Sequence, residues 1–436
     1  MFYDRWYGAT PIVNTRIFWT ALEACGGAVL SLVSSFAVAR IIGPTELGIG
    51  AAAVGLNVLL WVAVNALFAD PLVQRMTVDD AVLSSAFWAS TVSGTVAMVV
   101  QCAGGWGLAA LLHDPRLVAM TIVLAAPLPL VGAAGVMQGI VTRAFAYRAL
   151  ALRTVAGQGL GTLTGVGCAL WGAGAWAPVV QQAVATAAGA AILLALSGWR
   201  PSLRWHWQAV RQLLSFGLPL TASTLVLIGR YRVFAIVIGG TAGAATLGQV
   251  HIAFRLVDTV RELSFTALWR LMLPVLARHQ QDRGAMLHCV DRMLRRSCCI
   301  MLPLCAGMAL SLGPVVSLML GPHWAEAGQA ALPLVGLMVL LSVMFPAGVA
   351  MVAAGQVQPA LYANIASLLI SAGGVLLLQP SDPWQAVMVW CATQAVVSPY
   401  ALWASGRALG VGPLRPLTGG MRPGWPLPRR TAVEPG

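Results

Sequence analysis

The chain has 436 residues, 58% hydrophobic and only 9% charged, against roughly a quarter charged in an ordinary soluble domain. That balance excludes a soluble enzyme, and a mean hydropathy of +0.80 points to a polytopic membrane protein. All 26 basic residues are arginine. With no lysine, there is neither a P-loop lysine for phosphates nor a Schiff-base lysine for pyridoxal phosphate, and no cofactor is expected.

A helical span needs about 20 apolar residues to cross a bilayer core about 30 Å thick. The hydropathy pattern predicts twelve, near residues 17–39, 48–69, 83–104, 117–142, 150–171, 174–197, 213–238, 248–275, 297–320, 329–354, 357–378 and 384–406. The expected fold class is therefore an all-α polytopic membrane protein of about 12 transmembrane helices. The N-terminal segment lacks the pattern of a removable signal peptide, and residues 409–436 read as a disordered tail rich in Pro and Arg.

Arginine outside the spans sets the expected orientation, because basic residues near span ends are retained on the cytoplasmic side. With the N-terminus inside, 19 arginines fall on the cytoplasmic face and only Arg40 and Arg116 on the other. Both termini are then cytoplasmic. A formal charge of +12 spread over six segments is a topology signal rather than a nucleic-acid surface. Two cytoplasmic stretches, Ser202 to Leu214 and Asp282 to Arg296, read as amphipathic helices lying in the interface or simply connecting spans.

Glycine lets helices approach closely. Gly157, Gly161 and Gly165 form a small-residue ladder on the fifth span, Gly135 and Gly139 another on the fourth, and both faces are expected to pack against neighbours. Prolines at 127, 129, 219, 303 and 346 are expected to bend their spans. The eight cysteines and six histidines show no CxxC or HExxH spacing, so neither disulfides nor a metal site is expected. Asn57, Asn65, Gln138, Gln158, Gln181 and Gln182 either line a polar cavity or make interhelical hydrogen bonds.

An internal repeat is visible. RIIGPTELG (Arg40 to Gly48) and IGGTAGAATLG (Ile238 to Gly248) each close a span with a glycine turn and reopen it on Leu-Gly, 200 residues apart. This predicts two six-span halves, residues 1–205 and 206–408, related by an axis along the membrane normal, with substrate bound between them.

An ionisable side chain at mid-membrane costs at least about 2.5–3.5 kcal/mol. The seventh span nevertheless carries Arg230 and Arg232, and the eighth Arg255, Asp258, Arg261, Glu262 and Arg270. Arg255, Asp258 and Glu262 share a helical face and can pair in part. The remaining surplus of arginine suits a phosphate-bearing ligand, since its planar fork matches phosphate oxygens. The alternative is a structural network with Arg261 and Arg270 reaching the interface. Glu23, Asp258 and Glu262 are the candidates for ion coupling or ion pairing.

RIIGPTELG, TRAFAYRALALRTV (Thr142 to Val155), FGLPLTAS (Phe216 to Ser223), LGQVHIAFRLVD (Leu247 to Asp258) and LPVLARHQQD (Leu273 to Asp282) together resemble the polysaccharide transport family. These are Wzx-like flippases of the multidrug, oligosaccharidyl-lipid and polysaccharide exporter superfamily. The resemblance runs from residue 14 to about 330 and implies two pseudo-symmetric bundles around a cationic central cavity. It further implies a polyprenyl-diphosphate-linked oligosaccharide as substrate, flipped across the bacterial inner membrane for exopolysaccharide, capsule or lipopolysaccharide O-antigen synthesis. Membrane lipids, and a polymerase and glycosyltransferases of the same pathway, are the implied partners, with no nucleic acid. Arg230, Arg232, Arg255 and Arg261 are the expected contacts to diphosphate or glycan, and no residue is assigned catalysis. Many members carry a carboxylate just after the position of Arg230, where this chain reads GRYRV, which weakens any cation-coupling role there. The competing readings are a multidrug extruder, which would want carboxylates, and a membrane polymerase or ligase, which would want acid or base residues in its outer loops.

Overall fold

The computed structural model describes residues 18–75, 79–279, 283–356 and 358–408. The expected signal-free N-terminal segment and C-terminal tail lie outside these residues. The described chain is helical throughout, without strands, as α1 (Gly27–Gln74, entered through a π-turn at Leu22–Gly26), α2 (Asp80–Leu112), α3 (Arg116–Ala125), α4 (Leu128–Arg143), α5 (Tyr147–Leu170), α6 (Trp176–Ser197), α7 (Trp207–Ala277), α8 (Arg283–Met319), α9 (Ala325–Ala353), α10 (Gln358–Leu378) and α11 (Pro383–Ala408). Among the described residues nine helical segments are long and apolar enough to cross a membrane. The chain is a multi-pass membrane protein.

Two of those segments are far longer than one crossing, at 57 and 71 residues. Each is interrupted once, by Gly43 (φ 75°) in α1 and Gly243 (φ 87°) in α7, in a backbone region that glycine enters without steric cost. Glu23 in the π-turn that leads into α1 and Asn65 within α1, some twenty residues either side of Gly43, both come beside Arg153 and Thr154 of α5, so the two arms run antiparallel. In α7 the Tyr231 hydroxyl lies 3.4 Å from Nδ1 of His251 across the Gly243 break. The fourth predicted span is two helices, α3 and α4, parted at Ala126 and Pro127, because Pro127 has no N–H to continue the helical ladder. The helices run on without interruption through Pro219, Pro303 and Pro346.

The described residues form two compact units. The first holds those up to Val260 with Ser311–Leu334 and Asn364–Thr393. Its helices meet through the glycine faces. A β-carbon on Gly157 would lie 2.9 Å from the Ala185 carbonyl oxygen, and one on Gly161 2.6 Å from that of Gln181, so the ladder lets α5 and α6 touch backbone to backbone. Gly139 does the same for α4 against Ala69 of α1, at 3.1 Å. Phe68, Leu72, Leu128, Met137 and Leu193 fill the apolar space between α1, α4 and α6.

The second unit holds Arg261–Leu310, Val335–Ala363 and the described residues from Gln394. Met286, Val290 and Leu294, expected on an interfacial helix, are buried, and the first two pack with Met272, Leu276, Val349 and Ala350. They belong to the first turns of the 37-residue α8. The stretch from Ser202 likewise forms no helix of its own: Trp207 starts α7, and Trp205 and Trp207 stack, 6.4 Å apart and exposed. In both places the helical ladder continues because nothing in the sequence ends it.

Candidate functional site

The arginines of the predicted seventh and eighth spans are brought together by the Gly243 break. By helical rise of 1.5 Å per residue, Arg232 and Arg255 lie about 16–18 Å from the break, half the thickness of a bilayer core. Both act at Coulombic range on Tyr231 and His251, and Asp258 acts on Tyr231, so all five belong to one polar group within the first unit. The Arg255 guanidinium donates to the hydroxyl of Ser31 on the first helix. Arg232 lies along Gly55 of α1, whose β-carbon would sit 3.8 Å from the arginine Cδ.

The group has an aromatic backing. Arg230 stands 5.7 Å from the ring centre of Trp390 on α11, a cation–π distance. Trp390 packs on Phe234 (4.9 Å) and Phe254 (5.4 Å), and Phe254 on Tyr231 (4.7 Å). Phe234 and Phe254 are fully buried, so they fix the stems that carry the arginines. Sequence reasoning missed Tyr231, His251 and Trp390. Tyr231 lay in view between the two arginines of GRYRV, and His251 one helical turn before Arg255.

Arg261 and Glu262 stand on the same helix but in the second unit, and Glu262 is exposed.

Glu23 is remote from that group in sequence and company: its carboxylate accepts a hydrogen bond from Thr154 and faces the charge of Arg153. Arg153, counted at sequence level among the cytoplasmic arginines, reaches inward and donates to Oε1 of Gln138 at 2.5 Å. Beside it opens a cavity of about 290 Å³ between α1, α4, α5 and α6.

The six amides now divide. Asn57 donates to Gln101 Oε1 and the Leu124 carbonyl (3.2 and 2.9 Å), and Gln181 to Ser34 (2.7 Å), as interhelical bonds. Gln138 holds Arg153. Asn65, Gln158 and Gln182 line the cavity instead.

On the opposite, arginine-poor side, Glu46 accepts both terminal nitrogens of Arg116 (3.1 and 3.2 Å) and the Ala175 N–H (2.7 Å), while Asp114 accepts Arg116 at 2.8 Å. The Arg116 guanidinium holds the Asp114 carboxyl below the usual carboxylate range. Arg40 closes the end of α8 by donating to the carbonyls of Leu318 and Met319, each 2.9 Å.

Paired antiparallel arms, glycine-packed helices and a cationic group at mid-helix define a polytopic helical membrane protein with a charged interior site. Residues 37–329 match the family described as polysaccharide biosynthesis protein, and the chain belongs to that family. It is 23% identical over 338 residues to the succinoglycan biosynthesis transport protein ExoT of Rhizobium meliloti (strain 1021), covering 76% of this chain and 67% of that one. Its fold is similar to that of the lipid II flippase MurJ in an inward closed conformation, with TM-score 0.73, 10% identity, and 93% and 90% of the two chains covered. An inward-facing multidrug resistance MATE family transporter of the MOP superfamily matches with TM-score 0.57 and 15% identity over 89% and 94%.

Proposed function

We propose that this protein flips a polyprenyl-diphosphate-linked oligosaccharide from the cytoplasmic to the outer leaflet of a bacterial inner membrane, by alternating access. The observation that carries the reading is the group of Arg230, Arg232 and Arg255 on two arms of one helix, three guanidinium groups with Asp258 as the carboxylate among them. Guanidinium groups remain charged when buried and bind phosphate in bidentate fashion, whereas a cationic drug would be repelled there. The prenyl tail stays in lipid while the diphosphate crosses against these arginines. The transport role named for ExoT and the lipid flipping named for MurJ support the same assignment. Arg261, 18 positions past Gly243 in the sequence, is assigned to the cytoplasmic entrance, and Glu23, Asp258 and Glu262 to ion pairing.

The proposed frame has twelve spans, obtained by dividing α1 and α7 at their glycines and counting α5, in halves 1–205 and 206–408 with both termini cytoplasmic. A polymerase or ligase is disfavoured by what three of its outer-loop acids do. Glu46 and Asp114 are occupied by Arg116, and Asp382 caps α11 by accepting the Gln385 N–H at 2.8 Å.

Replacing Arg230, Arg232 or Arg255 singly by Ala in a producing strain tests the site. Lipid-linked oligosaccharide should accumulate on the cytoplasmic face and surface polysaccharide should fall; normal polysaccharide from all three variants would overturn the assignment.

A further inference from the structure

The cavity between α1, α4, α5 and α6 is chemically unlike the arginine group. Its polar lining consists of uncharged amides and hydroxyls, with Asn65, Gln158, Gln182, Thr154 and Thr186 among them, and Trp61 contributes an aromatic surface. The one cation, Arg153, is balanced by Glu23 and held by Gln138. Gln182 is engaged within its own helix by Thr186 at 3.2 Å. Among the described residues the side chains of Asn65 and Gln158 have no hydrogen-bond partner, although each offers both donor and acceptor toward the cavity. Half-buried amides of this kind leave donors and acceptors open to a polar occupant.

Position narrows the occupant. Asn65 lies 22 residues past Gly43, about 33 Å along the helix, and Glu23 about 30 Å on the other arm. Gln158 stands about 16 Å along α5 from Tyr147 and Gln182 about 9 Å along α6 from Trp176, so in the proposed orientation the cavity reaches from the cytoplasmic half, at Asn65 and Arg153, into the membrane interior. About 290 Å³ is the size of the smallest small-molecule sites. An electrically balanced pocket of donors, acceptors and one indole matches a neutral polyhydroxylated ring rather than a phosphate or a drug cation.

We infer that this pocket is a sugar-binding subsite in the N-terminal half, taking one ring of the glycan. It selects for glycosylated over bare lipid diphosphate. The inference rests on the flippase reading and adds a second, separable recognition element to it.

The test uses the full-length protein in nanodiscs with two probes: farnesyl diphosphate, and farnesyl diphosphate bearing one hexose, in glucose and galactose forms. Wild type should bind at least one sugar-bearing probe more tightly than the bare one. Gln158→Leu and Asn65→Leu should each weaken the sugar-bearing probe up to about tenfold, the effect of one lost hydrogen bond. Binding of the bare probe should persist in both, which also reports that they are folded. Wild type binding bare and sugar-bearing probes alike, or variants weakening both probes equally or neither, would overturn the subsite while leaving the flippase reading intact. Wild type binding none of the probes would overturn both.

Discussion

Gly48 and Gly248 pack against each other reciprocally. A β-carbon on Gly48 would lie 1.8 Å from the Ala244 carbonyl oxygen, and one on Gly248 2.0 Å from that of Pro44. Each residue thus meets the segment 200 positions away that corresponds to its own neighbourhood, as two copies do about a two-fold axis. Each follows by five residues a helix break, at Gly43 or Gly243.

This reciprocity makes the two glycines equivalent in energy. Gly48→Ala and Gly248→Ala should lower the thermal unfolding midpoint in detergent by similar amounts, since each drives a methyl group into backbone that cannot move aside. Gly107→Ala, with open space around its β-carbon, should leave the midpoint unchanged or raise it. A Gly248→Ala variant as stable as Gly107→Ala would contradict the contact.

A sharper pair lies on α5. Gly159 has open space and Gly161, two residues on, is 2.6 Å from the Gln181 carbonyl oxygen. Gly159→Ala should stabilise by the helix-propensity gain, about 0.5–1 kcal/mol. Gly161→Ala should destabilise by more than that, by forcing α5 from α6. Equal effects of the two in urea or thermal unfolding would show that this face is not an interface.

Much of this architecture is legible in sequence, for a physical reason. Crossing a bilayer imposes length and apolarity locally, so the predicted spans fall on helical segments among the described residues, the fourth on two helices. The repeat at Leu47-Gly48 and Leu247-Gly248 also showed, because close backbone approach admits only glycine. Helix continuity was less legible: the segments from Ser202 and Asp282 look amphipathic alone, but packing of Met286 and Val290 makes the latter part of a long helix. The polar residues were hardest. Asn57 and Asn65 sit two turns apart on one helix, yet one faces Gln101 and the other a cavity, a difference that depends on neighbours 44 and more residues away. His251 looked solitary because only the reversal at Gly243 sets it beside Tyr231.

The ion cluster of Glu46, Asp114 and Arg116 carries a pH dependence. Asp114 titrates lower folded than unfolded, so its contribution is complete above the ordinary aspartate range, near pH 4, and is lost as pH falls through the depressed value. Asp114→Asn should therefore lower the unfolding midpoint at pH 7, by an amount that shrinks progressively as pH falls below about 4. Arg116 is 45% exposed, so the difference should be small and shrink in high salt. A deficit that does not shrink at all as pH falls below about 4 would rule out the ion pair as its source.

The Trp390 contact separates positioning from charge in the arginine group. Trp390→Leu removes the π-face beneath Arg230 while keeping all three guanidinium groups. It should weaken binding of bare farnesyl diphosphate less than Arg230→Ala does, while Arg232→Lys, which keeps charge but loses the fork, should fall between wild type and Arg232→Ala. Trp390→Leu as damaging as Arg230→Ala would mean that the aromatic support, not the charge, governs the site.

The central claim is that the arginines on the two arms of α7 carry a diphosphate across the membrane. Its most direct test is transport of a fluorescent lipid-diphosphate-linked oligosaccharide in proteoliposomes containing wild type or the Arg230→Ala, Arg232→Ala, Arg255→Ala triple variant, scored by loss of the inner-leaflet pool. Wild type should empty that pool and the folded triple variant should not. Equal transport by both, or none by wild type above protein-free vesicles, would contradict the account.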